Sequence, residues 1–209
     1  MTSLAISDPA QRRDLAVFVG HALRLDEAAV IRLRTRADGL IAAWVATGFD
    51  VLAVRVFAGR VEPADVTCAA DALFRGLTAG DAGEIEAGYA MDSAWRTALP
   101  PETGFVHVDD VPEAVMAGLA RSGADLAREH AGPQGPPPSL LDQDVLEVSG
   151  SGMEVAIPMR VLLALAAMRF TSGAEDDVVR VRALPGWLRL DARYGSLFRR
   201  RGDPVLLLG

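Results

Sequence analysis

Apolar positions along this chain recur with two periods, and the places where one gives way to the other outline its elements. Asp8-Pro9 sets an N-cap aspartate before a proline at the first helical position. Leu15, Phe18, Val19 and Ala22 then repeat at helical spacing, which predicts a helix to about Leu23. From 30 to 60 the period drops to two. Ile31, Leu33 and Thr35 alternate with Arg32, Arg34 and Arg36, the run Leu40 to Ala46 is apolar throughout, and Leu52, Val54 and Val56 alternate with Ala53 and Arg55. With turn signals at Ala37-Asp38-Gly39 and Thr47-Gly48, this predicts a three-stranded antiparallel meander centred on 40–46. Arg32, Arg34, Arg36 and Arg55 are expected on one face of it.

Helical spacing returns at Glu62-Pro63, followed by a stripe of Val66, Ala70, Leu73 and Leu77 that ends at Gly80. Residues 79–104 read as a long loop with one short helix near 93–99, anchored by Trp95. Phe105 to Val108 is a short strand, and Asp109-Asp110 leads into a helix. In that helix Asp110 and Glu113 have capping-box spacing, and Val115, Leu119, Ser122 and Leu126 form the apolar face. The Pro- and Gly-rich segment 131–140 is a linker.

Beyond it lies the densest apolar region. Val145 to Val148 and Met153 to Ile157 flank Ser149-Gly150-Ser151-Gly152, which predicts a hairpin, and Pro158 ends its second strand. From Met159 to Phe170 every residue but Arg160 and Arg169 is apolar, so this helix is expected to be enclosed by protein. It is shorter than the roughly 20 residues that cross a bilayer, and no membrane partner is expected. Val179 and Val181 alternate with Arg180 and Arg182, Leu184-Pro185-Gly186-Trp187 reads as a type II turn, and Leu188 and Leu190 alternate with Arg189 and Asp191, which predicts a second hairpin. Val205 to Leu208 forms an apolar end of chain. Together these elements predict an α+β fold: antiparallel β-meander and hairpins packed with about four or five helices around one buried helix, 159–170. The expected organisation is a single domain over 1–209, with two subdomains, 8–130 and 141–209, joined by 131–140.

Charge sharpens this picture at one place. The net charge is −7, which works against a surface that coats nucleic acid or anionic lipid. Residues 178–204 nevertheless carry seven arginines against Asp191 and Asp203, a formal +5 set against −12 for the remainder. All 21 basic residues are arginine, the codon bias of a GC-rich bacterial genome. The lone Cys68 has no disulfide partner and fits a reducing compartment, and Met1 to Asp8 leads into no secretory signal, so a cytoplasmic protein is expected.

Candidate chemistry is sparse. Arg180, Arg182, Trp187, Arg189 and Arg193 interleave guanidinium groups with an aromatic ring, a composition suited to stacking on and pairing with an anionic ligand. His107, Asp109 and Asp110 form the one local cluster of histidine and carboxylates, the best candidate for acid/base or metal chemistry. Phosphate-loop, dinucleotide, nucleophile-elbow and Cys-x-x-Cys patterns are absent from the sequence. No catalytic residue, metal or cofactor is therefore assigned. The reading is a non-catalytic accessory protein that binds a protein partner or a second copy of itself. The alternatives are a binder of nucleic acid or a phosphorylated ligand through 180–201, and an enzyme centred on His107, Asp109 and Asp110.

Overall fold

A computed structural model describes residues 2–80, 83–130 and 137–201, and the chain divides into two compact units, 1–48 with 52–99 and 49–51 with 100–209. Of the expected linker, 131–136 lies outside the described residues, as does the apolar end Val205 to Leu208.

In the first unit β1 (Ser3–Ala5) precedes α1 (Pro9–Leu25), whose start follows the sequence: the Asp8 side chain accepts the Ala10 N–H at 2.8 Å. The strands β2 (Val30–Thr35), β3 (Ile41–Ala46) and β4 (Leu52–Phe57) form the predicted meander with β3 in the middle. The next stretch departs from expectation. Residues after Glu62-Pro63 do not turn into helix; β5 (Arg60–Glu62) and β6 (Asp65–Ala69) come first, and β6 pairs with β2 through Val30↔Ala69 to Arg34↔Asp65. Val66, Thr67 and Cys68 suit a pleated, buried strand, and the sheet edge on β2 overrides the helical spacing. Helix α2 (Ala70–Thr78) follows, then β7 (Glu84–Glu86), which joins β1 and β5 in a small three-stranded sheet. Buried Arg12 donates to the carbonyl oxygens of Leu77 at 2.8 Å and Gly76 at 3.0 Å, satisfying the last turn of α2 from α1.

The second unit begins with β8 (Val106–Pro112), a strand running well past the predicted four residues, and α3 (Glu113–Glu129). No capping box forms, because Asp110 stays in the strand. The buried Glu113 carboxylate instead accepts the Gly173 N–H at 2.5 Å and ties the loop after α5 to the start of α3. The single turn α4 (Pro138–Leu141) leads to the predicted hairpin, β9 (Asp144–Gly150) and β10 (Met153–Pro158), whose tight turn uses positive φ at Ser151 and Gly152. Then come α5 (Met159–Ala167), β11 (Val178–Leu184), β12 (Trp187–Ala192) and β13 (Gly195–Arg200). The β11–β12 turn forms without positive φ at Gly186, so it is not type II. The strand β13 was not read from the sequence.

The expected α+β arrangement around one buried helix is overturned. The fold rests on antiparallel sheet, with four strands in the first unit (β6-β2-β3-β4) and four in the second (β13-β12-β11-β8), and on few helices. Helix α5 is not the hub. It lies beside α3, and while Val161 to Leu165 are buried, Ala166 and Arg169 are exposed. The period-2 alternation explains why. Val179, Val181, Ala183, Leu188, Leu190 and Leu197 point to one side of their sheet, all at most 2% exposed, and α3 and α5 cover that side alone. Each of these valines and leucines contributes roughly 1.5–3 kcal/mol of burial. Within α3 the buried face is Met116, Ala120, Gly123 and Ala127, not the predicted Val115, Leu119, Ser122 and Leu126; Val115 and Leu126 are exposed.

Gly150 lets β9 pass close to β8, since a Cβ there would overlap the Val108 carbonyl oxygen, and Ser151 Oγ donates to the His107 carbonyl at 2.8 Å beside it. A Cβ on Gly118 in α3 would meet nothing. Urea unfolding is therefore expected to show Gly150→Ala losing about 1–3 kcal/mol and Gly118→Ala gaining roughly 0.5–1 kcal/mol. Equal effects would refute the close approach at Gly150.

Candidate functional site

The uncovered face of the second unit's sheet gathers both sequence-predicted clusters. Register places Arg180 opposite Asp191, Arg182 opposite Arg189 and Leu184 opposite Trp187. Along the next pair, Trp187 faces Arg200, Arg189 faces Phe198 and Asp191 faces Ser196. On the other flank Arg180 lies opposite Asp110 and, past a bulge, Arg182 opposite His107. Because side chains alternate along each strand, these groups share one side of the sheet, the side away from α3 and α5. Arg193 does not join them; it is exposed in the β12–β13 turn.

Two carboxylates hold most of the cations. Asp110 Oδ1 lies 3.0 Å from Arg180 Nε and 3.1 Å from His107 Nε2. These partners, Arg180 first, hold the Asp110 carboxyl below its ordinary range, and Asp110 in turn raises the Arg180 guanidinium. Asp109 stands opposite Val181 at the bulge and takes the Asp110 N–H at 2.8 Å. Asp191 Oδ1 accepts from Arg189 Nε at 2.8 Å and Ser196 Oγ at 2.6 Å, and its Oδ2 stands 3.4 Å from Arg182 Nε, near enough for charge attraction but not aligned as a hydrogen bond.

Aromatic rings hold the rest. The Arg189 guanidinium sits 5.7 Å from the Phe105 ring centroid and 5.2 Å from that of Phe198, and the two rings meet edge to face at 5.6 Å. Arg200 lies 5.8 Å from the Trp187 centroid. Phe105, Phe198 and Arg200 were not singled out from the sequence. Arg200 alone had a signal there, as part of the arginine run 199–201; Phe105 is brought in by β8 pairing across the chain and carries no local signature.

The first unit repeats the device on the corresponding side of its own sheet. Arg32 binds Asp65 in bidentate fashion at 2.7 and 2.8 Å, Arg34 lies 3.8 Å from the same carboxylate, and Trp95 stacks 5.9 Å from Arg32. The pair raises Arg32 and lowers Asp65. Arg55 corrects the expected row of four: it faces Ala43, one residue out of phase, and pairs with Asp14 of α1 at 2.7 Å on the helix side.

His107 and Asp110 are one hydrogen bond apart, Arg180 is the third member of the group, and the Ser151 hydroxyl stands against the His107 backbone carbonyl. Among the described residues no three His, Cys, Asp or Glu side chains converge to hold a metal. Cys68 is enclosed, its Sγ set 3.6 Å from the Ile31 carbonyl, and burial pushes its thiol up to about 12, far from thiolate reactivity at neutral pH. No helix among the described residues is long and apolar enough to cross a membrane.

Two family models match the chain, both described as domains of unknown function: DUF8010 over residues 1–97 and DUF8185 over 100–204. No curated protein matches. Solved structures do. The β sliding clamp of Caulobacter crescentus matches at 14% identity with a TM-score of 0.58, covering 98% of this chain and 66% of the clamp. The DNA polymerase sliding clamp of Bacillus subtilis matches at 12% identity and a TM-score of 0.60, over 100% of this chain and 68% of that one. The β subunit from the DNA polymerase of Streptococcus pyogenes matches at 9% and 0.56, over 97% and 65%. This chain thus spans about two thirds of the clamps it resembles, and identities this low establish a shared sliding-clamp fold alone.

Removing the carboxylate that Arg189 and Arg182 share separates the roles of this face. Asp191→Asn is expected to elute from heparin at clearly higher salt than the unaltered protein and to lose roughly 1–3 kcal/mol of stability. Unchanged elution would mean that these arginines are not neutralised by Asp191.

Proposed function

The chain belongs to the DUF8185 family, a domain of unknown function, and we propose that it is a non-catalytic interaction protein that binds a protein partner through the uncovered face of the second unit's sheet. One observation carries this reading: Trp187, Arg189, Arg200, Phe105 and Phe198 meet on that face with their guanidinium groups already stacked on rings. Trp and Arg dominate the energetic centres of protein interfaces, and side chains already held in place lose less entropy on binding. The likeness in fold to polymerase β subunits supports a role within an assembly. We place the protein in the bacterial cytoplasm, in keeping with its single buried thiol.

Nucleic acid is the second reading, favoured by the +5 of residues 178–204 and by the sliding-clamp likeness. Charge weighs against it. Binding a polyanion depends on cations that are free to displace counterions, whereas Arg180, Arg182 and Arg189 sit against Asp110 and Asp191 in a chain of −7.

A photo-cross-linking residue distinguishes them. With Trp187→p-benzoylphenylalanine in cells of the source organism, a discrete protein adduct is expected, and none from the same substitution at Tyr89, which is 78% exposed in the first unit. Arg189→Ala with Arg200→Ala is expected to weaken the adduct about tenfold or more, the cost of two interface anchors. An adduct to nucleic acid, or no protein adduct from Trp187, would contradict the proposal.

A further inference from the structure

On the opposite side of the second unit's sheet, α3 and α5 do not close against each other along their whole length. They leave a groove of about 570 Å³, a volume within the usual range for sites that enclose a small ligand or a few side chains. Its floor is apolar: Met116, Ala120, Leu162 and Leu165, each at most 3% exposed, with Ala166 open to solvent above them. Its rim carries Arg121, Arg128 and the carboxylate of Asp125 on α3, with Arg169, Thr171 and Ser172 past the end of α5, so cations outnumber the acid.

Two of these three arginines differ from those of the sheet faces. Arg121 and Arg169 are exposed and form no side-chain hydrogen bond or ion pair among the described residues; Arg128 shares only Asp125, at 2.6 Å. Positions 121 and 128 are seven apart and so stand on one side of α3, about 10 Å from each other. Arg169 holds a left-handed backbone, φ 50, at the C-terminal end of α5, where glycine is the low-cost residue. Within a chain of −7, the groove is a local patch of net positive charge around a dry floor.

We infer that this groove docks a polypeptide segment of a partner protein in which two or three apolar side chains are flanked by carboxylates. The apolar floor takes the side chains, and Arg121, Arg169 and Arg128 meet the acidic groups around them. Nucleic acid fits less well, because among the described residues no aromatic ring lines the groove to stack a base. The inference is independent of the proposed sheet-face interaction, since it concerns the helical side of the unit.

Fluorescence anisotropy on the full chain tests it. The probe is a fluorescein-labelled helical peptide with leucines at i, i+3, i+4 and i+7 and glutamates elsewhere. The controls are the same peptide with lysine for glutamate and an oligothymidylate of similar length. The acidic peptide is expected to bind at least about tenfold more tightly than either control, the effect of roughly 1.4 kcal/mol of charge complementarity. Arg121→Ala with Arg169→Ala, and separately Ala166→Glu, are expected to weaken it by a similar factor, and circular dichroism melts check that these exposed substitutions keep the fold. Trp187→Ala, on the other face, is expected to leave it unchanged. No binding of the acidic peptide, equal affinity for the lysine form, tighter binding of oligothymidylate, or insensitivity to the groove substitutions would overturn the inference. Loss of binding in Trp187→Ala would assign the peptide to the sheet face instead.

Discussion

One constraint shapes this molecule: in each large antiparallel array, helices cover only one side. In the second unit α3 and α5 lie over Val179, Val181, Leu188, Leu190 and Leu197, and the alternation of the strands sends Arg180, Arg182, Arg189 and Asp191 the other way. The covered side is dry and holds the unit together. The uncovered side must remain compatible with water, and it does so with arginines whose charges are balanced by Asp110 and Asp191 and whose flat guanidinium groups rest on Phe105, Phe198 and Trp187. Arg32, Asp65 and Trp95 solve the same problem in the first unit.

From this division comes the separation of possible functions. In the interior, Cys68 is enclosed as a neutral thiol and the Glu113 carboxylate is engaged by the backbone of Gly173. At the surface stand a stacked Arg and aromatic face on the sheet and, between the helices, a groove where Arg121 and Arg169 have no side-chain partner among the described residues. The chain shares the sliding-clamp fold and carries a domain of unknown function.

Much of the local structure was legible in the residues. Asp8-Pro9 announces α1, and the Ser151-Gly152 turn announces β9 and β10, because caps and turns act over a few residues. Errors arose where distant partners decide. Asp110 has the spacing of a helix cap toward Glu113, but Arg180 arrives from 70 residues away and keeps it in a strand. Val66 and Ala70 share helical spacing, but β2 offers an open edge, and residues 65–69 pair with it. The near-continuous apolar run 159–170 suggested a helix enclosed on all sides; in fact it is buried toward α3 and the sheet while Ala166 and Arg169 reach solvent, since alanine fits either environment. Of the predicted site, Arg180, Arg182, Trp187 and Arg189 were legible as one face of a hairpin, whereas only the β8–β11 pairing brings His107 and Asp110 onto that face.

The most direct test compares the two sides of the same strand. Leu190 is fully buried on the covered side and Trp187 lies on the uncovered one, three residues earlier in β12. In denaturant unfolding Leu190→Ala is predicted to cost roughly 2–5 kcal/mol, while Trp187→Ala costs about 1 kcal/mol or less, little more than one cation–π contact. Comparable losses from the two would show that the arginine face holds the fold together rather than serving as a surface for contact, and would contradict the account.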